Sequence, residues 1–429
     1  MKKKKLYGRQ TEQALENFSI PLHTAQKELI YAIVEVKKAA ALTHGKLGLM
    51  DKKMVKAIVQ ACDITLKGAY DNQFVTIALQ GGAGTSINMN VNEVIAHLAK
   101  VHPNDDVNMS QSTNDVVPSA LKVACLRLLK PMLKSIENLV ETFTDKADEF
   151  SNVKKLGRTH IQDALPMTLG EELQSYRDII SRNKQRIVEA SRYLYELNLG
   201  GTAIGNGINA PEHYVQTIYE ILRTNTGLTV KPAKNFMSHT SSQSDFCYLS
   251  SVITIFCLDL CKIAADIRFL SSGPRGGIGE IILQPLQPGS SIMPGKVNPV
   301  IPETVSQLFH YVYGNNITIH EAARDSHLEL AIMFPILADS LISMIKVSTA
   351  VIELFAQKCI AILQADEKRC EELLENSMVY ATLLAPRFGY DLMSDIVKEA
   401  VRKNKTLREV VLQRKLLSED EFSETISKR

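Results

Sequence analysis

Residues Ser119 to Phe150 read SALKVACLRLLKPMLKSIENLVETFTDKADEF. Their apolar side chains Leu121, Ala124, Leu128, Met132, Leu139, Val140 and Phe143 fall on one continuous face at the 3.6-residue period, with none of the alternation a strand requires. The same period recurs outward from this stretch. Thr168-Leu-Gly-Glu171 has the spacing of a capping box, and the helix it opens is predicted to run to about Asn198, where Gly200-Gly201 stops it. That is a rod of roughly 45 Å at the usual rise per residue. Further windows run from about Ser242 to Ser271, from Pro299 to Tyr313 and from about Ala331 to Leu363. Helices this long bury most surface when packed side by side. The expectation is therefore an all-α chain with a central long-helix bundle over residues 111–365. A smaller N-terminal domain (1–110) and a small C-terminal domain (366–429) of shorter amphipathic helices flank it.

Bulk properties narrow the function. With 45% hydrophobic residues in 429, the chain can bury a large core. Lys+Arg 49 against Asp+Glu 47 leaves a net charge of +2, so there is no electrostatic footprint for nucleic acid. The concentrated charge, Lys2 to Lys5, reads as a solvated chain end. No N-terminal run has the apolar core of a signal peptide. The apolar stretch Ser251 to Leu270 is interrupted by Asp259, Lys262, Asp266 and Arg268, which marks a buried helix rather than a membrane span. The seven cysteines include no C-x-x-C pair and no zinc spacing; they read as reduced, mostly buried thiols of a cytosolic protein.

Four segments combine glycine with hydroxyl, amide, imidazole or ammonium groups and sit where long helices begin or end. Gly289-Ser290-Ser291-Ile-Met-Pro294-Gly295-Lys296-Val-Asn298-Pro299 is an ordered loop ending in an N-cap and an N1 proline. Lys296 and Asn298 beside the positive end of a helix make a cradle for a carboxylate. Gln111-Ser112-Thr113-Asn114-Asp115 puts hydroxyl and amide donors at another helix start, as caps, as carboxylate ligands, or as both. Gly157-Arg-Thr159-His160-Ile-Gln-Asp163 places a histidine in a polar loop, where it can titrate near neutrality. Gln80-Gly-Gly-Ala83-Gly-Thr85-Ser86-Ile-Asn88-Met-Asn90 has no lysine after its glycines and no preceding strand, which excludes a P-loop. No cofactor or metal site is expected.

Together these segments resemble the signature regions of the aspartase/fumarase superfamily, in the same order and at similar separations, from about Tyr7 to Phe422. The Ser290 segment resembles that family's mobile serine loop almost residue for residue. The resemblance implies anti elimination across C2–C3 of a small dicarboxylate to give fumarate, by a homotetramer whose sites are shared between subunits. It implies Ser290 as the base, with Lys296 and Asn298 on the carboxylate that gathers charge. Thr85, Ser112, Thr113, Asn114 and Thr159 become donors to the carboxylates and the departing group. His160 is expected on the leaving-group side or on a carboxylate, paired with Glu303. Ala83, Thr113, Val300-Ile-Pro302-Glu303 and the segment from Leu407 to Leu417 resemble members that eliminate ammonia from L-aspartate. His160, shared with the fumarases, and Gly279, where an asparagine is usual among aspartases, leave malate dehydration as the alternative. A non-catalytic relative is the third possibility.

Overall fold

The structure is a computed structural model describing residues 5–427; Lys2 to Lys4 of the basic run lie outside them. Helix dominates, and the strands form three two-stranded sheets among the described residues. Five long helices carry the chain: Thr113–Glu149, Leu169–Ser191, Ser244–Leu270, Val300–Arg324 and Phe334–Phe355. They correspond to the five periodic windows, with boundaries that differ for physical reasons.

The capping box forms as predicted, with the Glu171 backbone N–H donating to Thr168 Oγ1 and the Thr168 N–H to the Glu171 carboxylate. The helix it opens ends at Ser191 rather than near Asn198. A tight turn follows at Arg192–Tyr195, and Glu196–Leu197 pairs in parallel with Lys231–Pro232. The carbonyls of Tyr193 and Glu196 are instead taken by the buried ammonium of Lys122, at 3.4 and 2.8 Å. The Pro299 window runs on to Arg324, well past Tyr313. Val300 is the first helical residue, and the Asn298 amide donates to the Gly289 carbonyl at 2.8 Å, closing the serine loop.

Compactness divides the chain into two units. The first comprises residues 1–134, 183–258 and 308–350; the second comprises 135–182, 259–307 and 351–429. Each long helix contributes one part to each unit. In the first unit the helices Lys27–Lys46, Lys52–Leu66 and Thr85–Ala99 pack together around Ile33, Val34, Ile58, Val91 and Val94. In the second, the C-terminal helices enclose Leu384, Ile396, Val410 and Phe422, with Tyr380 edge-on to Phe422 at 5.8 Å.

The loop predicted around His160 is an antiparallel hairpin, Lys154–Thr159 against Gln162–Thr168. His160 and Ile161 form its two-residue turn, both at positive φ (54° and 62°), the geometry of a type I′ turn.

Ser244–Leu270 and the run Phe334–Ile360 are long and apolar enough to cross a membrane by length and composition, but half or more of each apolar window is buried inside the chain. No disulfide joins any of the seven cysteines; Cys62, Cys125, Cys257, Cys359 and Cys370 are buried.

Candidate active site

In the first unit the helices Thr85–Ala99 and Thr113–Glu149 start at the same cavity, of about 640 Å³. Thr85, Asn88, Asn108, Ser112, Thr113 and Thr202 are among its lining residues, and no lining side chain is charged. Two helix N-termini bring free N–H groups and positive potential to it. Gly84 precedes the first of these helices at φ +92°, where a Cβ would press on Val117 at 3.3 Å. The Thr85 hydroxyl donates to the Gly82 carbonyl at 2.7 Å, while Ser112 Oγ accepts from the Asn114 N–H as a cap.

Asp115, wholly buried, ties this wall together by accepting from the backbone N–H groups of Ser112, Gly200 and Thr202 at 2.9, 2.9 and 3.1 Å. Burial raises its pKa against the opposing pull of those three donors. Asn114 reinforces the join by donating to the Ala203 carbonyl at 2.7 Å. The Asn88 side-chain amide donates to both Asn108 Oδ1 (3.1 Å) and the Thr113 hydroxyl oxygen (3.3 Å). Asn88, Asn108 and Asp115 therefore shape the cavity, although the sequence reading gave them no role. The available signal was Asn88, Asn90 and Asn92 at every second position of one helix, since asparagine is an unfavourable interior helix residue without a local partner.

The second unit holds the other candidates. Ser290 Oγ accepts from the backbone N–H groups of Ile292 and Met293, both at 3.2 Å. Two aligned donors favour the ionised form of a hydroxyl over the neutral one. The loop closes through the Gly289 N–H on the Lys296 carbonyl at 3.1 Å, and a Cβ on Gly289 would lie 2.2 Å from that oxygen. Lys296 and Glu303 line one cleft of about 840 Å³, together with Arg268 and Asp366. Asn298 faces a smaller neighbouring hollow.

Thr159 and His160 sit exposed at the hairpin tip. Glu280, wholly buried, anchors that hairpin: its carboxylate lies 3.1 Å from Lys155 Nζ and 2.9 Å from Arg158 Nη1, and Lys155 also meets Glu172 at 2.9 Å. Thr85, Ser112, Thr113 and Asn114 thus belong to the first unit. Thr159, His160, Ser290, Lys296, Asn298 and Glu303 belong to the second.

The lyase family, by its sequence model, matches residues 1–314, and the fumarase C C-terminal family matches residues 381–429. The chain belongs to the aspartase/fumarase superfamily of lyases. Within the superfamily it is 40% identical to an aspartate ammonia-lyase of Bacillus sp, over 98% of this chain and 92% of that one. It is 41% identical to that of Helicobacter pylori J99, over 97% and 92%. It is also 38% identical to a class II fumarate hydratase of Bacillus cereus, over 98% and 94%. Among solved structures, a fumarate lyase:delta crystallin from Brucella melitensis superposes with a TM-score of 0.96 at 38% identity, covering 100% of this chain and 96% of that one. A class II fumarase from Schistosoma mansoni gives 0.94 at 33%, covering 99% and 95%. The all-α fold of the superfamily, expected from the long periodic windows, is the fold of this chain.

Proposed function

We propose that this superfamily member is an aspartate ammonia-lyase, reversibly converting L-aspartate to fumarate and ammonia by anti elimination. The observation that carries this reading is the uncharged cavity at two helix N-termini, with Thr113, the residue resembling the aspartases, held in its wall by Asn88. Hydroxyl and amide groups there can donate to a carboxylate and, through their oxygens, accept from an ammonium group.

The chemical difficulty is removal of the weakly acidic C3 proton, because the resulting electron pair moves into the adjacent carboxylate. Ser290, ionised beneath the Ile292 and Met293 N–H groups, takes that proton. Lys296, Asn298 and the N-terminal end of the Val300–Arg324 helix stabilise the doubly charged carboxylate as it forms. The pair then forms the C2–C3 double bond, the C2–N bond breaks, and the protonated amine leaves as neutral ammonia. Thr85, Ser112, Thr113, Asn114 and Thr159 bind the carboxylates and the departing nitrogen. His160 works on the leaving-group side or on a carboxylate, with its protonation set by Glu303.

From the family resemblance, the proposal includes a cytoplasmic homotetramer in which three subunits complete each site. It also includes the division into domains 1–110, 111–365 and 366–429. The alternative reading is malate dehydration, favoured by His160 and by the fumarate hydratase relatives. Gly279 weighs little toward it: φ there is +67° and a Cβ would lie 2.9 Å from the Pro274 carbonyl oxygen, so the local backbone accounts for glycine whatever the substrate.

Ultraviolet absorbance of fumarate, with purified protein given L-aspartate in one cuvette and L-malate in another, tests the reading. Fumarate from aspartate alone is expected. Fumarate from malate alone overturns the ammonia-lyase assignment in favour of a hydratase.

A further inference from the structure

Lys37 lies mid-helix on Lys27–Lys46 with 0% of its surface exposed, in the run Val34-Glu-Val-Lys37-Lys-Ala-Ala. Burial without compensation disfavours an ammonium, and an apolar residue of the same length would pack there at no such cost. Lys37 Nζ donates to Asn108 Oδ1 at 2.7 Å. That single oxygen also receives the amides of Asn88 and Asn92, both at 3.1 Å. Three donors thus converge on an atom with two lone pairs. Meanwhile the amide oxygens of Asn88 and Asn92 are buried without a partner. A cation is therefore surrounded by amides with acceptor capacity to spare, and two of them, Asn88 and Asn108, line the uncharged cavity.

We infer that Lys37 is the positive charge of this cavity: a positioning residue that, through Asn108 and then Asn88, which donates to the Thr113 oxygen, leaves the Thr113 hydroxyl hydrogen free for one carboxylate of a bound dicarboxylate. The inference rests on the dicarboxylate reading above and deepens it.

The charges facing Lys37 are few. From the Thr113–Glu149 helix comes Asp115, whose carboxylate is already engaged by three backbone N–H groups. From Lys52–Leu66 comes Cys62, its thiol pushed up to about 12 by burial and hence neutral. Asn88 and Asn92 of Thr85–Ala99, and Asn108, carry no charge. The helix Tyr214–Thr226 brings two buried phenols, Tyr214 and Tyr219, toward the same Asp115, and both stay protonated. Burial lowers the Lys37 ammonium to about 7 against the pull of Asp115. A carboxylate arriving in the cavity adds a second negative charge and favours the protonated form. Binding is therefore coupled to proton uptake just above neutral pH, and affinity falls as pH rises.

The test uses full-length protein and succinate, an unreactive dicarboxylate, titrated calorimetrically at pH 8 in phosphate and in Tris, so that the difference in heats counts protons. Wild type is expected to take up about half to one proton per site. Lys37→Met is expected to abolish the uptake, weaken succinate about tenfold and raise KM for the converted substrate similarly, with kcat much less affected. Lys37→Arg, charged at every accessible pH, is expected to abolish the uptake while keeping affinity, which no longer falls with pH; it serves also if Lys37→Met does not fold. Succinate binding to wild type without proton uptake overturns the inference, as does undiminished uptake in either variant. Both results leave the elimination reading intact if fumarate is still formed. Wild type that neither binds succinate nor makes fumarate from aspartate or malate removes the dicarboxylate reading and this inference with it.

Discussion

A hydroxyl that must hold negative charge needs donors aimed at its oxygen, and Ser290 has two from its own loop. Ser290→Ala leaves the N–H groups in place and removes the atom they serve. Turnover is expected to fall by about 10²–10⁴-fold, the usual contribution of a positioned base, with circular dichroism and oligomeric state unchanged. Wild-type turnover in this variant would remove Ser290 as the base. A second residue makes a pH statement about stability. His44 is wholly buried and stacks on Tyr214 at 5.2 Å, and burial lowers its pKa from 6.5 to about 4. Below pH 6.5 the unfolded chain binds a proton there that the folded chain refuses, so stability falls as pH drops from 6.5 toward 4 and is unaffected above that window. The loss approaches about 3 kcal/mol at the acid end. His44→Phe should flatten this part of the melting temperature profile; an equally steep profile would show that His44 does not cause it. Ser290, Lys296 and Thr113 were legible in sequence because glycine, proline and cap residues surround them. Lys37 and Asp115 were not, because what distinguishes them is burial, and a lysine between a valine and a second lysine looks like any helix surface charge until the fold encloses it.

Elements explain why these residues stay in place. Gly170 lies where the Leu169–Ser191 helix starts against the end of Thr113–Glu149, and a Cβ there would sit 2.4 Å from the Ala147 carbonyl and 2.8 Å from Ser151 Cα. Backbone cannot yield as a flexible side chain would. Gly170→Ala is expected to destabilise the protein by about 2 kcal/mol or more despite alanine's better helix propensity. Urea unfolding measures this; a stabilised variant would mean that the two helix ends separate easily. Glu280 does comparable service for the hairpin: Glu280→Ala takes the carboxylate from Arg158 and leaves Lys155 with Glu172 alone, at a cost of about 3 kcal/mol. The same urea series reads that loss, and no change would mean the hairpin is held by its backbone alone. The five long helices were legible because each shows its apolar stripe over many turns. The hairpin was not. Its strands, Lys-Lys-Leu-Gly-Arg-Thr and Gln-Asp-Ala-Leu-Pro-Met-Thr, lack alternation, and its His160-Ile161 turn adopts positive φ without the Asn-Gly that usually announces it.

For the whole molecule, the long helices keep apolar side chains on the outside of the chain. Ile255 and Leu258 on one, and Tyr311, Tyr313 and Ile317 on another, are exposed. Such faces suit burial between subunits. If each site draws on several subunits, two inactive variants should repair one another. Ser290→Ala and Thr113→Val, each inactive alone, are expected to regain about a quarter of wild-type activity after being unfolded and refolded together at equal concentration, because mixed assemblies contain some sites with both native residues. No recovery, from a mixture that has demonstrably exchanged subunits, would place both residues in one chain's site. The first compact unit is assembled from three separated stretches, the last running from Leu308 to Ala350. During synthesis, the N-terminal helices can pack on one another, but their unit closes only when the distant stretches arrive, and the faces that await them stay open to chaperones meanwhile. A chain released before Ala350 lacks part of the third stretch and is expected to leave the first unit unclosed.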